Sequence, residues 1–119
     1  MQYLPFVLVL LVAIEHMYIL VLEMFLWTRQ RTLKVFGITK EEAEKTKVMA
    51  ANQGLYNGFL SAGLLWGLVH PQPDIGLQVQ IFFLCCVITA AVYGSITVKK
   101  SILLVQGLPA VLALISVLV

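Results

Sequence analysis

The chain has 119 residues, 61% of them hydrophobic and 12% charged, with a formal net charge of +2 and a mean hydropathy of +0.95. A soluble domain is about half apolar and about a quarter charged, so the composition argues against a water-soluble globule and makes lipid the expected solvent. The length allows one domain, and no motif in it points to a nucleic-acid partner.

Met1-Gln2-Tyr3-Leu4-Pro5 carries no basic n-region, and the apolar run that follows has no Ala-x-Ala-like cleavage site. The first apolar segment, about residues 4–27, is therefore expected to remain as a transmembrane helix. About 20 apolar residues cross a hydrocarbon core of roughly 30 Å. This segment also holds Glu15 and His16 side by side near its middle, and Glu23 two turns later. Ionisable groups at such depth are costly and usually face a bundle interior or a wet cavity. His16 and Glu23 share a helix face, whereas Glu15 is rotated from it by about 100°.

Between the first and second apolar segments lie Arg29, Arg31, Lys34, Lys40, Lys45 and Lys47. Leu33, Val35, Phe36 and Ile38 are expected at the lipid interface. Thr39-Lys40-Glu41-Glu42 matches a capping box, which predicts a second helix over about 40–69 that starts in water. Its first turns, 40–47, carry three lysines and three glutamates and read as a solvated face rather than a binding patch. Further along, Ala50, Gly54, Gly58 and Ala62 recur every four residues. That stripe lets a neighbouring backbone approach closely and is read as helix packing. Gln53, Asn57 and Ser61 form a second stripe about 100° away, flanked by Asn52 and Tyr56. Amides in lipid need hydrogen-bond partners, so this face is expected to look inward.

The third helix, about 78–98, places Cys86, Thr89, Tyr93 and Thr97 on one face. Cys85 and Cys86 are adjacent and indicate neither a disulfide framework nor a redox motif. The fourth, about 101–119, holds Gln106 and Pro109, and the proline predicts a kink. All eight basic residues fall in 28–47 or at Lys99-Lys100. The positive-inside rule then places those loops in the cytoplasm and both termini outside. The expected fold is all-α, a transmembrane four-helix bundle with antiparallel neighbours joined by short connections.

On that topology Glu15, His16 and Asn57 lie near the midplane. Glu23, Asn52 and Gln53 lie about 11 Å nearer the cytoplasm, with Tyr93 and Gln106 also in that half and Tyr56 flanking the amide stripe. These nine residues are the candidate pocket, open or openable to the cytoplasm. Carboxyl and imidazole groups there suit a proton relay or a cation site; the competing reading is that they only fix the register of the bundle. Metal binding is disfavoured, because carboxylate-bridged four-helix bundles use Glu-x-x-His pairs and none occurs here. No catalytic arrangement is specified by spacing, and no cofactor is implied.

The blocks Glu15-His16-Met17-Tyr18-Ile19, Glu23-Met24-Phe25-Leu26-Trp27, Asn52-Gln53-Gly54-Leu55-Tyr56-Asn57-Gly58-Phe59-Leu60, Ala91-Val92-Tyr93-Gly94 and Gln106-Gly107-Leu108-Pro109-Ala110 are a more specific signal. The chain resembles the bacterial family called domain of unknown function 1304 over nearly its whole length. The resemblance implies a small multi-pass protein of the bacterial inner membrane and no established activity. The expectation is a lipid-embedded protein that binds a small polar or cationic ligand, with proton coupling. A transport path through so short a chain would require a homo-oligomer. A membrane enzyme or redox accessory acting on a quinone or lipid, and a structural partner subunit, are the alternatives.

Overall fold

The computed structural model describes residues 2–119; Met1, part of the stretch read above as lacking a basic n-region, lies outside them. The architecture is all-α, with no strand among the described residues. The helices are α1 (Leu4–Met24), α2 (Gln30–Phe36), α3 (Lys40–Val69), α4 (Pro73–Thr97) and α5 (Leu108–Leu118), with a π-helical turn over Leu103–Gly107.

The chain divides into two compact units. One comprises the residues up to Ile14 together with Leu60–Val119, the other Glu15–Phe59. The first has an apolar core of Val9, Val12, Ala13, Leu64, Leu84, Val87, Ala110 and Ala113. Within it the buried Ser61 hydroxyl donates to Ala13 O at 2.8 Å, which satisfies a polar group that has no water to turn to. At the α3–α4 turn the backbones nearly touch: a Cβ on Gly76 would stand 2.5 Å from Gly67 O. Gln80 Nε2 donates to that same carbonyl at 3.1 Å.

The second unit carries the interhelical loop. The capping box forms as expected, with Glu42 N donating to Thr39 Oγ1 at 3.1 Å and Thr39 N to Glu42 Oε1 at 3.0 Å. Both bonds satisfy orphan donors at the start of α3, and they hold the Glu42 carboxyl below its ordinary value. The part of this cap supplied by the Glu42 carboxylate is therefore complete at neutral pH and is lost as pH falls below the usual carboxylate range through the lowered Glu42 value, whereas the bond to Thr39 Oγ1 does not titrate. Thr39→Ala should cost about 1 kcal/mol and speed amide exchange in the first turn of α3. Exchange measured by mass spectrometry at neutral pH checks this, and the same measurement on Glu42→Gln should show its difference from wild type shrinking in acid. Lys45–Glu41 and Lys47–Glu44 pair at 3.3 and 3.5 Å across the exposed face, where such pairs add little.

Three boundaries differ from the sequence reading. The first helix ends at Met24 rather than near residue 27, and α2 then forms a separate helix. Arg29 at its N-cap makes no side-chain cap, but Gly37 closes it in the left-handed region at φ 67°. Gly37 N and Ile38 N both donate to Leu33 O, at 2.8 and 3.1 Å, the glycine closure expected of a helix end. Trp27 packs edge-on against Phe36 at 4.9 Å, and its indole donates to Thr46 Oγ1 at 3.2 Å.

Helix α4 starts at Pro73, five residues before the expected residue 78, because proline is suited to a first helical turn while hydropathy registers only the apolar run beyond it. The fourth segment contains a π turn just ahead of Pro109 rather than a bare kink. Leu108 N reaches back to Leu103 O; the wider turn absorbs the place where proline lacks a donor.

Two helices, α1 and α4, are long and apolar enough to cross a membrane. Only 22% of each apolar window is buried, unlike a core helix of a soluble protein. On α1 the exposed side chains Val7, Leu11, Ile14, Tyr18 and Val21 recur at helical spacing, a continuous outward stripe. A soluble monomer rarely exposes a contiguous patch of that kind.

Candidate functional site

The opposite stripe of α1 begins apolar, with Val9, Val12 and Ala13, and then becomes polar at His16 and Glu23. His16 is 1% exposed and Glu23 4%, as their shared face requires; Glu15, off that face, has a side chain 24% exposed. Glu15 Oε1 nonetheless is buried and takes no hydrogen bond, and it stands 3.9 Å from His16 Nδ1.

The partner of Glu23 comes from α3. Asn57 Nδ2 donates to Glu23 Oε1 at 2.7 Å and to Gln53 O at 3.2 Å. This short bond is possible because glycine lines the contact. A Cβ on Gly54 would lie 2.8 Å from Met24 Cγ and 3.0 Å from Glu23 Cβ, and one on Gly58 would lie 2.5 Å from Leu20 Cδ1. Ala50, Gly54 and Gly58 are buried, whereas Ala62 is exposed. The small residues thus bring α3 against α1 closely enough for an amide and a carboxyl to meet.

The other candidate residues are placed differently. Asn52, Gln53 and Tyr56 are exposed, and Asn52 Nδ2 turns back to Val48 O at 2.9 Å. Tyr56 leans on Phe59 with ring centroids 6.0 Å apart. Tyr93 and Gln106 belong to the other unit. Tyr93 is 69% exposed and ends a shallow groove of about 580 Å³ along α4, with Phe82, Cys85, Cys86, Thr89 and Ala90. Gln106 is part-buried in the π turn, a conformation often found at functional positions. His70 accepts a hydrogen bond from Gln72 N at 3.0 Å and rests near Trp66. Thr32 was not singled out from the sequence; it is 1% exposed, and its hydroxyl has no hydrogen-bond partner. One threonine in a basic loop gives no sequence signal of that kind.

A carboxyl held by an amide, a second carboxyl oxygen with spare accepting capacity, and a buried imidazole can bind and pass protons or accept a cationic group. Comparison with known proteins places the chain in a family. A family model described as "Protein of unknown function (DUF1304)" matches residues 10–118. The chain belongs to the DUF1304 family. A DUF1304 relative in Lactococcus lactis subsp. lactis (strain IL1403), "Uncharacterized protein YpaA", is 41% identical over 118 residues, covering 98% of each chain. No solved structure matches the chain.

Proposed function

We propose that this DUF1304 protein is a multi-pass protein of the bacterial inner membrane that binds a small polar or cationic ligand, with proton exchange, at Glu15, His16, Glu23 and Asn57. In this reading α1, α3, α4 and the π turn with α5 form four antiparallel spans, both termini are outside, and the basic 28–47 loop is cytoplasmic. The positive charge at Arg29, Arg31, Lys34 and Lys99-Lys100 supports that orientation.

The observation that carries the proposal is the contrast between the two carboxyls. Glu23 is satisfied by Asn57 at 2.7 Å, whereas Glu15 Oε1 is buried beside the imidazole with no hydrogen bond. A device for fixing helix register would satisfy both, since an unpaired polar atom in the interior costs about 1–3 kcal/mol. Spare capacity at one carboxyl is what a site for an incoming donor or cation requires.

Native mass spectrometry of protein released from lipid tests this. The wild type should retain a small adduct, and Glu23→Gln should lose it while remaining folded, because glutamine can still accept from Asn57. Two clean spectra with equal stability would contradict ligand binding. A second reading, in which these residues hold the bundle together as part of a structural subunit, draws on the Asn57–Glu23 bond itself. It requires Glu23→Gln to change stability and no bound mass in either protein.

A further inference from the structure

Packing within the chain occupies the small-residue face of α3, since Gly54 and Gly58 lie against Leu20, Glu23 and Met24. That face is therefore not free to meet another helix. What remains outward in the same stretch is Met49, Asn52, Gln53, Tyr56 and Phe59, all exposed. These positions recur at spacings of three and four and so form one stripe. Among the described residues no hydrogen bond reaches the Gln53 side-chain amide or the Tyr56 hydroxyl, and the Asn52 amide is engaged only with Val48 O.

Its polar residues, Asn52, Gln53 and Tyr56, lie roughly 8–14 Å beyond Lys47 along the helix axis, inside the span if α3 crosses the bilayer. Hydrocarbon offers such groups no partner, and each unsatisfied one is costly. We propose that this stripe docks a second copy of the chain, related by a two-fold axis along the membrane normal.

The choice of occupant follows from chemistry and depth. Both copies share one topology, so a two-fold along the normal sets each stripe residue against its own counterpart at equal depth. Asn, Gln and Tyr each carry a donor and an acceptor, so each can bond its own copy. A charge at such a position would repel itself, and residues 48–59 contain none. Phe59 and Met49 close the two ends with apolar contact. Gln53, whose carbonyl accepts from Asn57, links the stripe to the Glu23–Asn57 pair, so docking encloses that pair from the outer side of α3. The inference rests on the reading that α3 spans the bilayer and not on what the pair binds.

Cysteine crosslinking in native membranes tests it. In the full chain with Cys85→Ser and Cys86→Ser, single replacements Asn52→Cys, Gln53→Cys and Tyr56→Cys are oxidised beside Leu11→Cys and Leu104→Cys, which are exposed on other helices. The stripe positions should give a covalent product of twice the chain mass, and the controls should stay monomeric. No dimer from any stripe position, equal yield from the controls, or a product of another mass would overturn the proposal. Recovery of the chain in the soluble fraction would overturn the membrane reading as well, so the two failures are distinguishable.

Discussion

Replacing Asn57 with leucine should destabilise the protein by about 2–3 kcal/mol, the usual scale for removing the partner of a buried carboxyl. The loss is larger than the bond's net worth, because Glu23, only 4% exposed, would keep its desolvation cost and lose its donor. Leucine also cannot bond Gln53 O, which now accepts from Asn57. The companion Glu23→Leu should cost less, since the amide it orphans can still reach that carbonyl. Combining the two should recover much of the loss, an interaction well outside simple additivity. Denaturant unfolding of the two single variants and the double variant in lipid-mimicking micelles provides the check. Additive losses would mean that the 2.7 Å contact contributes little.

The second large effect is expected at Gly76. The Cβ of Gly76→Ala would meet Gly67 O at 2.5 Å and His70 Cβ at 3.2 Å. The first obstacle is backbone and cannot rotate away, so the α3–α4 turn must open. Opening it also pulls Gly67 O from Gln80 Nε2, now 3.1 Å away. A loss of about 1–3 kcal/mol is the ordinary cost of overpacking, and this variant should fall at its upper end. Gly58→Ala should be milder despite an equally short contact, because the atom it meets, Leu20 Cδ1, is the end of a flexible side chain. Thermal unfolding of the two variants side by side should place Gly76→Ala clearly lower; the reverse order would show that the turn yields more easily than the α1–α3 contact.

Which parts of this protein could be read from its sequence follows from how local each signal is. The Thr39–Glu42 box is local chemistry, and it forms at the expected residues. Helix α2 lacked a capping side chain at Arg29, and its one clear mark, Gly37, acts only through a left-handed φ. Pro73 was a usable sign of the α4 start but lay outside the apolar run. On α3, periodicity separates the glycine stripe from the amide stripe without saying which one packs. Closest backbone approach decides it in favour of glycine, leaving Asn57 at the edge of the contact and Asn52, Gln53 and Tyr56 outside it. The distribution of hydrogen bonds between Glu15 and Glu23 was not legible at all, since it depends on which α3 residue arrives opposite each carboxyl.

The central claim is that Glu15, beside the fixed acceptor Glu23, is an exchangeable carboxyl. The most direct measurement is infrared difference spectroscopy of the protein in liposomes across a series of pH steps, for wild type, Glu15→Gln and Glu23→Gln. The claim predicts a carboxyl stretching band that titrates in the wild type, moves when a small cation is added, and is missing from Glu15→Gln. A wild-type spectrum with no such band, or a band that persists unchanged in Glu15→Gln, would contradict it.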